Sequence, residues 1–199
     1  MGTLFTESQK FNLPDADIVY YPQLFDQEEA DSLFSHLKKS IAWQQDDIKV
    51  FGKVYPQPRL TALYAANEKP YGYANIVMQP KLFSKELLRI KTKVEEHSPV
   101  TFTTCLLNLY RDGQDSNGWH ADDEKELGKN PIIASVTFGQ ERWFHLRYKK
   151  DKAIKQKILL QHGSLLLMAG TTQHFWQHQI PKTAKKIGER INLTFRVIT

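Results

Sequence analysis

The most chemically loaded stretch of this 199-residue sequence is Arg190-Ile191-Asn192-Leu193-Thr194-Phe195-Arg196. As a strand, its period of two puts Ile191, Leu193 and Phe195 on one face and Arg190, Asn192, Thr194 and Arg196 on the other. Facing solvent, the polar side would belong to an ordinary half-buried edge strand. Turned inward, it would bury two guanidinium groups, and unpaired buried charges are costly enough that anionic partners become necessary. A small dicarboxylate suits two arginines on one strand, with Asn192 and Thr194 adding hydrogen bonds. A second constellation is His120-Ala121-Asp122. In an extended segment this imidazole and carboxylate point the same way and can grip a metal from one side. A distant histidine must complete a two-histidine, one-carboxylate face that leaves positions open for co-substrate and oxygen. The downstream candidates are His145, His162, His174 and His178. A lone His-x-Asp tripeptide is common by chance; its weight comes from a later histidine and the arginine strand beyond it.

These residues need elements to hold them. Asp17 to Tyr21 has the look of a short opening strand. Asp26 resembles a helix N-cap with Glu29 three residues on, and Ala30, Leu33, Phe34 and Leu37 recur at helical spacing. A second helix is predicted to start at Ser84, with Leu87, Leu88, Lys91 and Val94 on one side and Phe83 stapling onto Leu88. After Pro99 the pattern changes to strands: Thr101–Tyr110, Ile132–Phe138, Arg142–Tyr148, Lys157–Leu160, Ser164–Met168, Phe175–Ile180 and Arg190–Ile198. Turn-rich pieces such as Arg111-Asp112-Gly113 and Asn117-Gly118 separate them. The expected class is α+β, mainly β: an antiparallel sandwich or barrel buttressed by N-terminal helices.

Composition narrows the partners. With 41% hydrophobic and 25% charged residues the profile is that of an ordinary globular chain, and the length suits one domain. No apolar run approaches the roughly eighteen residues of a membrane span, and the start shows no basic then apolar secretory pattern. Cys105 is the only cysteine, so no internal disulfide can form and a reducing compartment is expected: cytoplasm, or nucleus in a eukaryote. Its apolar neighbours mark it as a packing residue. The net charge of +5 permits a polyanionic partner without demanding one. Cations gather in Arg147-Tyr148-Lys149-Lys150-Asp151-Lys152 with Lys155 and Lys157, and again at Lys182, Lys185 and Lys186.

The order His-x-Asp, His, then Arg-x-x-x-x-x-Arg resembles the AlkB family of Fe(II)- and 2-oxoglutarate-dependent dioxygenases. The resemblance covers nearly all of the chain after about Val50. It is carried by Pro58-Arg59-Leu60-Thr61, Asn108-Leu109-Tyr110, Trp119-His120-Ala121-Asp122-Asp123-Glu124, Ile132 to Gly139, His162-Gly163-Ser164-Leu165, Trp176-Gln177-His178 and Arg190 to Arg196. It implies a double-stranded β-helix (jelly-roll, cupin-like) core over about 99–199, with helices and a nucleotide-recognition lid over about 1–98. It makes His120, Asp122 and His178 the iron ligands, with His174 a neighbour. Arg190 and Arg196 would hold the carboxylates of 2-oxoglutarate, with Asn108, Tyr110, Asn192 and Thr194 alongside. Decarboxylation of 2-oxoglutarate by Fe(II) and O2 would be coupled to hydroxylation of an N-methyl group and release of formaldehyde.

The same resemblance implies alkylated DNA, or RNA, as partner, no membrane, and a monomer. A stacked base cannot reach a buried iron, so it must be flipped or unpaired. Val50-Phe51-Gly52-Lys53 would supply an apolar wedge beside a cation, and could equally be a hairpin with Phe51 in a core. Tyr71 and Tyr73 match the lid, Tyr73 stacking on the flipped base opposite His120. Arg59 falls in a substrate-side motif, and Asp123 would meet the exocyclic amine of the base. Phe51-Gly52-Lys53 looks like the branch acting on duplex DNA. Gln57 to Ala62 and Trp119 to Glu124 look more like the branch acting on single strands and RNA.

Overall fold

The computed structural model describes residues 7–50, 53–67, 71–73 and 76–198, and of residues 48–50, 71–73 and 76–77 the backbone alone. Two capped helices brace the chain. The Asp26 carboxylate accepts the Glu29 N–H at 2.8 Å and opens α1 (Gln27–Ser40), which buries Ala30, Leu33 and Leu37. The Ser84 hydroxyl accepts the Leu87 N–H at 3.2 Å and opens α2 (Lys85–Glu95). The inward stripe of α2 is Leu87, Ile90 and Val94. Leu88 is exposed and Lys91 pairs with Glu95, so the face expected through Leu88 is turned by about one position, toward Ile90.

Sixteen strands are seen among the described residues. β1 (Gln9–Lys10) and β2 (Asp17–Tyr21) precede α1. Between the helices lie β3 (Asp47–Val50), β4 (Lys53–Pro56), β5 (Leu60–Ala65), β6 (Tyr71–Tyr73), β7 (Ile76–Met78) and β8 (Lys81–Leu82). After α2 come β9 (Thr104–Tyr110), β10 (Asn117–His120), β11 (Ile133–Gly139), β12 (Arg142–Tyr148), β13 (Lys155–Leu160), β14 (Ser164–Ala169), β15 (Trp176–Ile180) and β16 (Arg190–Arg196), with a single turn α3 (Thr172–Phe175) leading into β15.

They form an eight-stranded sheet, β1-β2-β14-β11-β16-β9-β5-β8, a four-stranded sheet, β10-β15-β12-β13, and the hairpins β3-β4 and β6-β7. Every pairing is antiparallel except β5 with β8. No ladder joins the two larger sheets among the described residues, so the alternative of a closed barrel gives way to a sandwich. One apolar cluster lies between the large sheet and the helices, holding Leu37, Leu87 and Ile90 against Leu107, Val136 and Leu193. A second lies between the sheets, holding Tyr110, Ile133, Phe144, Leu146 and Trp176.

β16 sits in the middle of the large sheet between β11 and β9, with all seven residues buried. The edge-strand reading therefore fails, and the polar face points between the sheets. Asn117-Gly118, expected as a turn, belongs to β10. That strand pairs with β15 at Asn117–Ile180 and His120–His178 with an irregularity between, and such a bulge re-aims a side chain. Gly139, at φ +82°, turns β11 toward β12 where a Cβ would meet the Glu189 carbonyl oxygen at 2.5 Å.

Candidate functional site

His120 ends β10, Asp122 follows in the next loop, and His178 lies on β15 directly opposite His120. The ligand atoms of the three lie within 4.8 Å of one another. The imidazoles meet edge to face, 4.2 Å between centroids, and the His178 ring stacks on Phe144 at 5.0 Å. Burial holds the His178 pKa down to about 3, helped by the nearby charges of His120 and Arg196. Burial lowers His120 as well. Both rings are therefore neutral at pH 7, the form that donates a lone pair to a metal. Asp122 is pushed up by its burial, but the positive charge of Arg196 and the hydrogen bond it donates outweigh this and keep the carboxyl below its ordinary range. Its Oδ1 receives Arg196 Nη2 at 2.7 Å, and its N–H donates to Gln173 Oε1 at 2.9 Å. Two imidazoles and a carboxylate on one side of a cavity form the donor set of non-haem Fe(II) oxygenases.

The pocket beside this triad is walled by Asn108 and Tyr110 of β9, Ser135 of β11, and Arg190, Asn192, Thr194 and Arg196 of β16. Leu106, Ile133, Phe144 and Met168 form its apolar part. Asn192 donates to Ser135 Oγ at 2.8 Å and to the Val136 carbonyl at 3.1 Å, and Thr194 donates to Asn192 Oδ1 at 3.0 Å. Arg190 is 1% exposed. Its Nη2 reaches Thr137 Oγ1 at 2.9 Å and its guanidinium lies 5.2 Å from the centre of the Tyr110 ring. Its Nε and Nη1 have no hydrogen-bond partner among the described residues. Burial, only partly offset by Tyr110, pulls its pKa down to about 10. A buried guanidinium without a carboxylate is a strong demand for an anion, and a 2-oxoglutarate carboxylate fits that demand.

The remaining sequence candidates are placed unevenly. Arg59, taken as substrate-side, is 4% exposed and donates to Asn108 Oδ1 at 2.7 Å and to the Ser116 carbonyl at 3.1 Å, so it holds one residue of the pocket wall in place. Asp123 is half exposed and pairs with Lys149 at 3.0 Å. Val50 and Lys53 face each other at the tip of the β3-β4 hairpin, whereas Phe51 and Gly52 lie outside the described residues. Tyr71 and Tyr73 lie on β6 of the β6-β7 hairpin, with their side chains outside the description. His174 bonds Asn130 at 3.0 Å. Lys182, Lys185 and Lys186 are exposed.

Some contributors carried no readable signal. Gln173 is buried and accepts from the ligand residue Asp122, while Lys149 spans Asp123 Oδ2 and the Gln173 carbonyl oxygen. Arg142 is buried and donates to the carbonyls of Asp112, Asp115 and Pro181, tying β12 to the loops beside the pocket. Spacing alone could not separate Gln173 and Arg142 from surface polar residues, and Lys149 stood out only as one of a run of cations.

The two sheets, the triad and the arginine strand define a class, and comparison agrees with it. The family model described as the 2OG-Fe(II) oxygenase superfamily matches residues 17–196, and the chain belongs to that superfamily. Within it the chain is closely related to AlkB-type proteins. It is 42% identical over 191 residues to alpha-ketoglutarate-dependent dioxygenase alkB homolog 3 of Bos taurus, covering 89% of this chain and 64% of that protein. It is 37% identical over 188 residues to DNA oxidative demethylase ALKBH2 of Homo sapiens, covering 89% and 72%. The chain thus spans less than two thirds of the bovine homolog 3. A solved structure of OsALKBH1 superposes with a TM-score of 0.66 at 16% identity, covering 96% of this chain and all of that one, a likeness of fold.

Proposed function

We propose that the chain is an Fe(II)- and 2-oxoglutarate-dependent oxidative demethylase of alkylated nucleic-acid bases, acting on N1-methyladenine and N3-methylcytosine type lesions in DNA from a double-stranded β-helix core. The observation that carries this reading is the His120, Asp122 and His178 triad beside a buried Arg190 that lacks an anion. The three ligand residues would hold the iron, and Arg190 with Tyr110 would take a carboxylate of 2-oxoglutarate. Iron, 2-oxoglutarate and O2, when bound, supply oxidation of a C–H bond coupled to decarboxylation. The protein's own work is to keep both imidazoles neutral, hold Asp122 ionised through Arg196, and line the cavity with Leu106, Ile133 and Phe144 so that little water enters.

On the substrate side, Val50, Phe51 and Lys53 act as wedge and cation, Tyr71 and Tyr73 as lid, and Asp123 as the acceptor for an exocyclic amine. The curated relatives include a DNA oxidative demethylase, which supports a base-directed activity. The test is formaldehyde release from N-methylated oligonucleotides, single- and double-stranded, with Fe(II) and 2-oxoglutarate. Release that vanishes in His120→Ala supports the reading, and the strand comparison chooses the branch. Consumption of 2-oxoglutarate without release from any oligonucleotide overturns the nucleic-acid part and redirects the search to protein or lipid.

A further inference from the structure

The pocket uses one face of the four-stranded sheet, through Phe144, His178 and Ile180. The opposite face is partly exposed among the described residues. Along β12 the inward residues are buried while Trp143, His145 and Arg147 alternate outward. Their register partners on β13 are Leu159, Lys157 and Lys155, and both lysines are exposed. Trp143 is 51% exposed. The Arg147 guanidinium lies over the Trp119 ring, 4.2 Å from its centroid, and is fixed there by two hydrogen bonds to Gln177 Oε1, at 3.0 and 2.8 Å. The four strands contain no Asp or Glu. The face is therefore cationic with an aromatic ring toward either end, and Arg147 to Trp143 spans about 13 Å of strand.

A single exposed tryptophan is ordinary, and a charge run is usually just solvated. Here the two coincide with a third feature. Trp119 and Gln177 immediately precede His120 and His178, so the platform begins at the β10 edge beside the triad and runs away from it. Aromatic rings interleaved with cations on a sheet face are what a sugar-phosphate chain with unstacked bases requires.

We propose that this outer face, centred on Trp119, Trp143, His145, Arg147, Lys155 and Lys157, binds the single-stranded nucleic acid that flanks the target base. Bases stack on the Trp143 ring, and phosphates run along Arg147, Lys155 and Lys157. This rests on the nucleic-acid reading above, but it assigns a surface separate from the pocket, and its consequence is a preference for long strands over short ones.

The experiment pairs two readouts on the purified chain. Fluorescence anisotropy follows an unmodified, labelled single strand of about sixteen nucleotides, in deoxy and ribo forms. Turnover follows an N-methylated trinucleotide too short to span the platform. Trp143→Ala is expected to raise the dissociation constant of the long strand about 5- to 100-fold, the size of one lost stacking contact. Lys155→Ala with Lys157→Ala is expected to flatten its salt dependence by about 0.7 per lost phosphate contact. Trinucleotide turnover should stay unchanged in both variants. Wild-type affinity for the long strand in both variants overturns the platform while leaving a demethylase intact. Equal loss of trinucleotide turnover also overturns it, since the face would then act only through the pocket. A wild-type chain that binds the strand through Trp143 but demethylates nothing keeps the platform and sinks the proposed activity.

Discussion

Arg190 and Arg196 stand at opposite ends of one polar face and are equally buried, yet their surroundings differ. At the Arg196 end the Asp122 carboxylate lies 2.7 Å away, so two buried charges offset each other. At the Arg190 end the neighbours are a threonine hydroxyl, an aromatic ring and the like charge of Arg142, with no carboxylate paired among the described residues. The first end is an internal ion pair that also orients a metal ligand. The second is a buried charge left without a counter-charge among the described residues. One strand therefore carries a compensated charge at one end and an uncompensated one at the other.

The largest expected effect breaks the balanced end. Arg196→Met leaves Asp122 buried and uncompensated, and should lower the stability of the metal-free protein by about 3–5 kcal/mol in urea denaturation. A loss under about 1 kcal/mol would mean that the pair does not set the position of Asp122. Arg190→Met should behave in the opposite way. Removing an unpaired buried charge is expected to leave metal-free stability unchanged or raised. What disappears is the stabilisation that 2-oxoglutarate confers beside Mn(II), about 2.7 kcal/mol in the wild type at a hundred times its dissociation constant. If Arg190→Met destabilised the metal-free protein as much as Arg196→Met, the contrast between the two ends would be gone.

The shared polar face of this strand was legible in the sequence, because β16 has a clean period of two. What periodicity could not give was the pairing. Both arginines looked alike until the fold brought Asp122 to one of them and not to the other. The partner of Arg59 was hidden for a related reason: its motif names no acceptor, and only the pairing of β5 with β9 brings the guanidinium to Asn108. The short strands between the helices were missed because a piece such as Leu60–Ala65, buried at almost every position, shows no alternation to read. β10 was hidden because its Asn-Gly start has the chemistry of a turn, and only its pairing with β15 makes it a strand.

A smaller effect tests the support behind Asp122. Gln173→Leu removes the buried acceptor of the Asp122 N–H and should cost about 1–3 kcal/mol of stability. The same loosening should weaken Mn(II) binding about 10- to 100-fold, since partners that orient a ligand residue govern metal affinity. Unchanged Mn(II) affinity, measured by titration, would show that Arg196 alone aims the carboxylate.

The smallest expected effect sharpens the comparison at the scale of two adjacent residues. Asp122 is 2% exposed and gripped by buried partners, whereas Asp123 is half exposed and meets Lys149 at the surface. Exposed ion pairs contribute about 0.2–1 kcal/mol and weaken with salt. A double-mutant cycle of Lys149→Ala with Asp123→Asn should therefore give a coupling in that range, fading as salt is raised. Such a weak hold suits the role proposed for Asp123, which would have to leave its lysine to accept a hydrogen bond from an incoming base. A coupling of several kcal/mol that ignores salt would mean that Asp123 is locked like its neighbour, and its role as an acceptor for substrate would have to be withdrawn.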